Sequence, residues 1–320
     1  MKYRRVGRTG LKVSEISLGS WLTYGNSTER DTAVSTIDTA YNLGINSFDT
    51  ANVYARGEAE KIVGEALRKY PRESYVLATK VFGKMGDGPN DSGLSRKHIM
   101  EQLHASLSRL GLDYVDIYYC HRFDTETPIE ETLRALDDLV RQGKVLYVGV
   151  SEWTAQQIQE GLGTADQYLL DKIVVNQPNY SMLHRNIEKE IIPLSERNGI
   201  SQIVFSPLAQ GVLTGKYKRG AQIPAGSRAA DEKSNMFMDR LLKEEVLIKV
   251  EQLEKLAKEK EITISQLAIA WILRQQNIAS ALIGASKPEQ IQENVKAVDV
   301  SLSQDELDQI ENILTAEKEG

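Results

Sequence analysis

Four residues of the chain, Asp49, Tyr54, Lys80 and His121, have the types and the order needed to polarise and protonate a carbonyl oxygen. A tyrosine with its ordinary pKa of about 10 is a weak acid at neutral pH, but an adjacent ammonium favours phenolate and lowers that value. Lys80 could be that ammonium. Asp49 could pair with it and offset the cost of burying its charge, and His121 could donate to, or orient, the oxygen beside Tyr54. Such a site protonates an oxygen while something else attacks the carbon. Each residue also has a plain reading: Tyr54 as an aromatic loop plug, Lys80 as a solvated strand terminus, His121 as a residue packed beside Cys120 and Arg122. Position favours the chemistry. Asp49, Lys80, His121, Ser151 with Glu152, Asn176 with Gln177, and Ser206 all close short apolar runs, and Tyr54 lies five residues beyond Asp49.

The elements that must position these residues come as a repeat: a short apolar or β-branched run, a polar loop, then an amphipathic helical pattern. The runs span Ile16 to Gly19, Asn46 to Asp49, Tyr75 to Lys80, Tyr114 to His121, Val145 to Ser151, Ile173 to Gln177, Ile203 to Pro207 and Ser280 to Gly284. Helices are expected over Ala33 to Leu43 (Thr28 and Asp31 ahead, Gly44 behind), Ile99 to Leu110 (Ser95 and Gly111) and Leu133 to Val140 (Thr127, Pro128 and Gly143). Alternating strands and helices imply parallel pairing through right-handed crossovers. An open doubly wound sheet and a closed barrel both fit. Even spacing and the lack of a linker favour a (β/α)8 TIM barrel, with residues 1–320 as one domain, preceded by a hairpin around Gly7 to Gly10. Every parallel strand of a barrel ends on one face, so the polar strand ends would meet at one mouth.

The segment from Gly211 to Asn235 lacks periodicity and reads as a functional loop. Behind it a single helix is expected over Asp239 to Lys260, packed on the barrel wall, and the acidic tail from Ser303 reads as a terminal helix. Lys84 to Gly93 reads as a mobile flap over the mouth, and Trp21, Tyr24, Tyr54, Phe82 and Tyr180 suggest an aromatic lining.

Composition narrows the function classes. A net charge of −6 argues against a general nucleic-acid grip. No run approaches the roughly 20 apolar residues of a membrane span, and MKYRRVGRTG has no apolar stretch behind it, so the expected location is cytoplasmic. On that expectation the glycosylation patterns at Asn26 and Asn179 carry no weight. The lone Cys120 cannot form an intramolecular disulfide, and the histidines at 98, 104, 121 and 184 make no metal-binding pattern. GVLTGKY, from Gly211, is too short for a phosphate loop, and GLGTAD, from Gly161, lacks the third glycine of a Rossmann turn.

The motifs NSFDTANVYARGEAEKIVGEAL, VLATK, YVDIYYCH, VGVSEW, NQPNYSML, FSPLAQGVLTGKY and GASKPEQIQEN occur in an order and spacing that resemble the aldo-keto reductases. The likeness runs from the N-terminal hairpin to the last motif. Within the family it is most similar to the branch containing voltage-gated potassium-channel β subunits and their bacterial relatives. This resemblance implies a barrel that binds NADP(H) in extended form without a Rossmann domain. It implies Asp49, Tyr54, Lys80 and His121 as the catalytic tetrad, with Tyr54 as proton donor. Ser151 and Gln177 would hold the nicotinamide carboxamide, with Asp49 nearby, and Gly19 and Trp21 would border the ring. Ser206, Pro207, Leu208, Gly211 and Lys216 would follow the pyrophosphate, with Arg228 folding over it. Ser286, Gln290, Glu293 and Asn294 would receive the adenosine 2′-phosphate and adenine. The chain departs from many relatives in carrying Glu152 after the serine and Gln290 in place of an arginine, and from channel subunits in keeping His121 where they often have Asn.

The expectation is an NADPH-dependent reductase of aldehydes and ketones acting on a small-molecule carbonyl substrate. The competing expectations are a redox-sensing regulatory subunit that holds NADP(H) with slow turnover, and a Schiff-base aldolase using Lys80. Physiological substrate, protein partner and oligomeric state are left open by the sequence.

Overall fold

A computed structural model of the chain describes residues 1–25, 28–231, 235 and 238–316. Asn26 and part of the Gly211 to Asn235 loop lie outside the described residues. Strands β1 (Tyr3–Arg5) and β2 (Lys12–Ser14) form the expected antiparallel hairpin. The eight runs become β3 (Ile16–Gly19), β4 (Ser47–Asp49), β5 (Val76–Val81), β6 (Val115–Cys120), β7 (Val145–Ser151), β8 (Ile173–Gln177), β9 (Ser201–Phe205) and β10 (Ile278–Gly284). They pair in parallel in the order β3 through β10, and β10 closes onto β3 with Gly284 opposite Gly19. The fold is a (β/α)8 barrel.

The helices are α1 (Arg30–Asn42), α2 (Glu58–Leu67), α3 (Arg96–Leu110), α4 (Ile129–Arg141), α5 (Ala155–Tyr168), α6 (Ile191–Asn198), α7 (Met238–Leu241), α8 (Glu244–Glu259), α9 (Ile264–Leu273), α10 (Pro288–Asn294) and α11 (Gln304–Thr315). Ser95 caps α3 by accepting the His98 N–H, and Gly111 ends it in left-handed backbone, as its spacing predicts. The expected caps of α1 fail. It starts at Arg30 after an uncapped Glu29, Asp31 sits in its first turn, and Thr28 points to the central cavity instead. The long helix expected over Asp239 to Lys260 is two helices, α7 and α8, divided where Lys243 adopts extended backbone. Apolar periodicity reports which face is covered, and that face continues across the break. Ser303 caps α11 through a capping box with Glu306. Among the described residues no helix is long and apolar enough to cross a membrane.

Two apolar clusters hold the barrel. The larger lies between strands and helices. The smaller fills the barrel itself with Val76, Ala78, Ile117, Tyr119, Val175 and Ile203, and Val6 and Val13 of the hairpin segment plug its lower end. Since side chains two apart share a face of a strand, the interior rows Val76–Ala78, Ile117–Tyr119 and Val175 lead directly to Lys80, His121 and Gln177. The hairpin closes one end, and the polar strand ends emerge at the other.

Candidate active site

At that open end lies a cavity of about 990 Å³. Gly19, Trp21, Asp49, Tyr54, His121, Ser151, Gln177, Ser206, Pro207, Leu208, Gly211, Lys216, Arg228, Ser286, Gln290, Glu293 and Asn294 all line it. Lys80, the remaining candidate, is fully buried beneath the wall. Residues spread along the chain from Gly19 to Asn294 thus share one surface.

Lys80 donates from Nζ to the Asp49 carboxylate and to the Thr50 carbonyl oxygen at 3.0 Å. Asp49 also accepts from Gln177 Nε2 at 2.8 Å. A buried charge pair of this kind is held by its hydrogen bonds, and removing one partner costs about 3–5 kcal/mol. The Lys80 ammonium sits 5.0 Å from the centroid of the Tyr54 ring. Tyr54 Oη is 3.4 Å from His121 Nε2, and the two rings meet edge to face at 5.6 Å. Tyr54 opens a tight turn (Tyr54–Gly57) in which Ala55, Arg56 and Gly57 all have positive φ.

Protonation in this site is set mainly by burial. The Tyr54 phenol is held well above its ordinary pKa by burial and by Asp49, against a smaller lowering by Arg122. The expected lowering by Lys80 is therefore not what governs Tyr54 here, because burial of the phenol dominates and the carboxylate that neutralises Lys80 also opposes phenolate. His121 is held well below the usual imidazole range by burial, then by Lys80 and Arg122. Burial likewise pulls Lys80 down, with Asp49 opposing. Near neutral pH, Tyr54 is a protonated phenol and His121 a neutral ring.

The rest of the wall runs away from this centre. Ser151 donates to the Gln177 carbonyl oxygen at 2.8 Å, and the Glu152 carboxylate accepts the Asn179 N–H at 2.7 Å, off the cavity wall. After β9 the loop passes through positive φ at Ser206, Ala209, Gln210 and Gly211. Gln210 donates to Ser206 Oγ at 2.7 Å and accepts from Arg228, tying the following segment down. At the far end the Ser286 N–H bonds Gln290 Oε1 at 2.8 Å, while Glu293 is engaged by Gln266 and Lys296.

The groove fits an extended, polar, anionic cofactor. Lys216, Arg228 and Lys287 line its length, and the buried hydroxyls of Thr28 and Ser227 on its wall have no hydrogen-bond partner among the described residues. Ser151 and Gln177 could meet a nicotinamide, the β9 loop a pyrophosphate and α10 the adenosine.

Several sequence expectations are corrected. Tyr24 and Tyr180 are core residues, Tyr180 donating to Glu188 at 2.6 Å, and Phe82 packs on the core off the cavity wall. The Lys84 to Gly93 segment is tied to itself, with Asp91 accepting the Gly88 N–H at 2.7 Å, and none of it lines the cavity. Its glycines signal freedom, but the Asp91 carboxylate uses that freedom to close a local turn. Burial pushes the Cys120 thiol up to about 12, so it is inert. Among the wall residues that the sequence did not single out as site residues are Thr28, Arg122, Phe205, Gln210, Ser227 and Lys287. Phe205 is the last residue of β9 and Arg122 the second residue beyond β6, so both could have been found by extending the search to the residues beside His121 and Ser206.

The aldo/keto reductase family model matches residues 15–315. A probable voltage-gated potassium channel subunit beta of Arabidopsis thaliana is 48% identical over 319 residues, covering 98% of this chain and 97% of that protein. A protein of the same description from Oryza sativa subsp. japonica is 44% identical over 319 residues, with the same coverage. A putative voltage-gated potassium channel subunit beta of Schizosaccharomyces pombe is 44% identical over 321 residues, covering 98% and 93%.

Proposed function

Because the chain belongs to the aldo/keto reductase family, we propose that it is an NADPH-dependent oxidoreductase that reduces aldehydes and ketones to alcohols, with Tyr54 as the general acid. The observation that carries this reading is the pairing of Tyr54 Oη with His121 Nε2 at 3.4 Å on the cavity wall, above the buried Lys80–Asp49 pair. A reduced nicotinamide seated by Ser151 and Gln177 would supply hydride to the carbonyl carbon. The chain's own residues do the rest. Tyr54 and the neutral His121 both reach one carbonyl oxygen, and Tyr54 gives it a proton from Oη. An alkoxide is a far stronger base than phenolate, so a phenol of raised pKa still donates downhill. As phenolate forms, Lys80 offers it a positive charge at short range, with one ammonium proton not taken by Asp49 or Thr50. Lys287, near the adenosine end, supports NADPH over NADH, while Lys216 and Arg228 on the pyrophosphate side would serve either cofactor.

The test is titration with NADPH and NADH, followed by turnover of para-nitrobenzaldehyde, with Tyr54→Phe alongside. General acid catalysis contributes about a hundred- to ten-thousand-fold, so Tyr54→Phe is expected to lose turnover by that order while keeping cofactor affinity. Unchanged turnover would remove Tyr54 from the mechanism.

The names of the similar plant and yeast proteins favour one second reading, an NADP(H)-binding regulatory subunit with slow turnover. Cofactor release slower than any aldehyde turnover, together with negligible multiple turnover, would select it. Rapid release and broad aldehyde reduction would discard it.

A further inference from the structure

Arg122 follows β6 and lines the reactive end of the cavity with Tyr54, His121 and Trp21. The other cations of the wall, Lys216, Arg228 and Lys287, belong to the β9 loop, the segment after it and the β10–α10 turn. The tetrad's own cation, Lys80, is committed to Asp49. Arg122 has no ion pair among the described residues. Its NH1 donates to the His121 carbonyl oxygen at 2.6 Å, which fixes the head of the side chain and leaves its Nε–NH2 edge for another acceptor.

The loop that carries Arg122 is braced. Phe123 packs edge to face on Trp153 with centroids 4.9 Å apart. The Asp124 carboxylate accepts from the Leu94 N–H at 2.6 Å, the Glu126 N–H at 3.0 Å and the Thr127 hydroxyl at 2.8 Å. A guanidinium on such a support offers a planar fork that matches carboxylate and phosphate. Its charge reaches the reacting groups, since it pulls both Tyr54 and His121 downward.

We propose that Arg122 makes the reactive end of the cavity an anion subsite, so that the preferred substrates are aldehydes or ketones carrying a carboxylate or phosphate. The inference rests on the reductase reading and adds its substrate class. An anionic group on Arg122 holds the carbonyl end of the substrate beside Tyr54 and His121. Because Arg122 is exposed, salt screens the attraction.

The experiment compares kcat/KM, with NADPH, for para-carboxybenzaldehyde against para-nitrobenzaldehyde and for glycolaldehyde phosphate against glycolaldehyde. The proteins are wild type, Arg122→Gln and Arg122→Lys. Wild type is expected to favour the anionic member of at least one pair by about tenfold, the order of one charge-assisted contact. Arg122→Gln is expected to cut that ratio by about the same factor, Arg122→Lys to keep part of it, and added salt to shrink it. The pair that shows the preference identifies carboxylate or phosphate. Turnover of neutral aldehydes with no preference in either pair, or an Arg122→Gln enzyme with an unchanged ratio, would overturn the inference and leave the reductase reading standing. Failure to reduce any of the four aldehydes would overturn both.

Discussion

His121 is one residue beyond β6, yet three separate influences meet on it. Burial, Lys80 and Arg122 all disfavour its imidazolium, so its folded-state pKa is well below the ordinary value. The unfolded chain takes up a proton at about pH 6.5. Below that pH the unfolded state binds more protons than the folded state, and stability falls as pH falls, until the folded-state pKa is passed. The contribution is up to about 1.4 kcal/mol per pH unit within that window. His98, also pulled down by burial, adds in the same direction. Urea unfolding at neutral pH and near pH 5 should therefore show a smaller acid-side loss in His121→Asn than in wild type. Parallel losses would mean that His121 is not held neutral by the fold. The same imidazole, uncharged across the neutral range, can share hydrogen bonds with a carbonyl oxygen without titrating.

At the scale of elements, the loops that hold the site are strained where it matters. Among the described residues, apart from Leu169 and Glu261, which end helices, the non-glycine residues of positive φ are Leu22, Ala55, Arg56, Glu152, Ser206, Ala209 and Gln210. Each belongs to a turn that carries a wall residue, and such conformations cost of order 1–3 kcal/mol. Gly57 closes the turn that opens with Tyr54, at φ 93, and a Cβ there would sit 2.5 Å from Arg109 Cδ. Arg109 in turn donates to the buried Glu60 at 2.6 Å, which also accepts from Thr79. Gly143, at φ 69 with open space around it, is the natural control. Gly57→Ala should destabilise the protein by at least about 1 kcal/mol, more than Gly143→Ala, and should lower kcat as well, because the turn orients the phenol. Equal melting temperatures and unchanged kcat for the two variants would show that the turn is not a determinant of Tyr54.

At the scale of the molecule, a groove leads from the barrel mouth past the β9 loop to α10. Gly284, the last residue of β10, lies on its floor, and a Cβ there would meet nothing within 4 Å. Gly284→Phe should therefore leave folding nearly intact while filling the path proposed for the dinucleotide. The expected result is NADPH affinity weakened by about tenfold or more, equivalent to about 1.4 kcal/mol, with the melting temperature close to wild type. Fluorescence titration checks it, and undiminished affinity would mean that the cofactor does not follow the groove.

Much of this was legible in the chain because strands and helices announce themselves locally. A period of two along Val76, Ala78 and Lys80 shows one face of a strand whatever surrounds it, and glycines such as Gly111 mark helix ends. The strand runs, the hairpin and the convergence of Asp49, Tyr54, Lys80 and His121 follow from that information plus the rule that parallel barrel strands end together. The division of α7 from α8 escaped because apolar periodicity records which side is covered and not whether the axis continues. The protonation of Tyr54, the burial of Tyr24 and Tyr180 and the place of Arg122 on the cavity wall were decided by tertiary structure alone. Burial and electric field are sums over neighbours far apart in sequence, and no local pattern contains them.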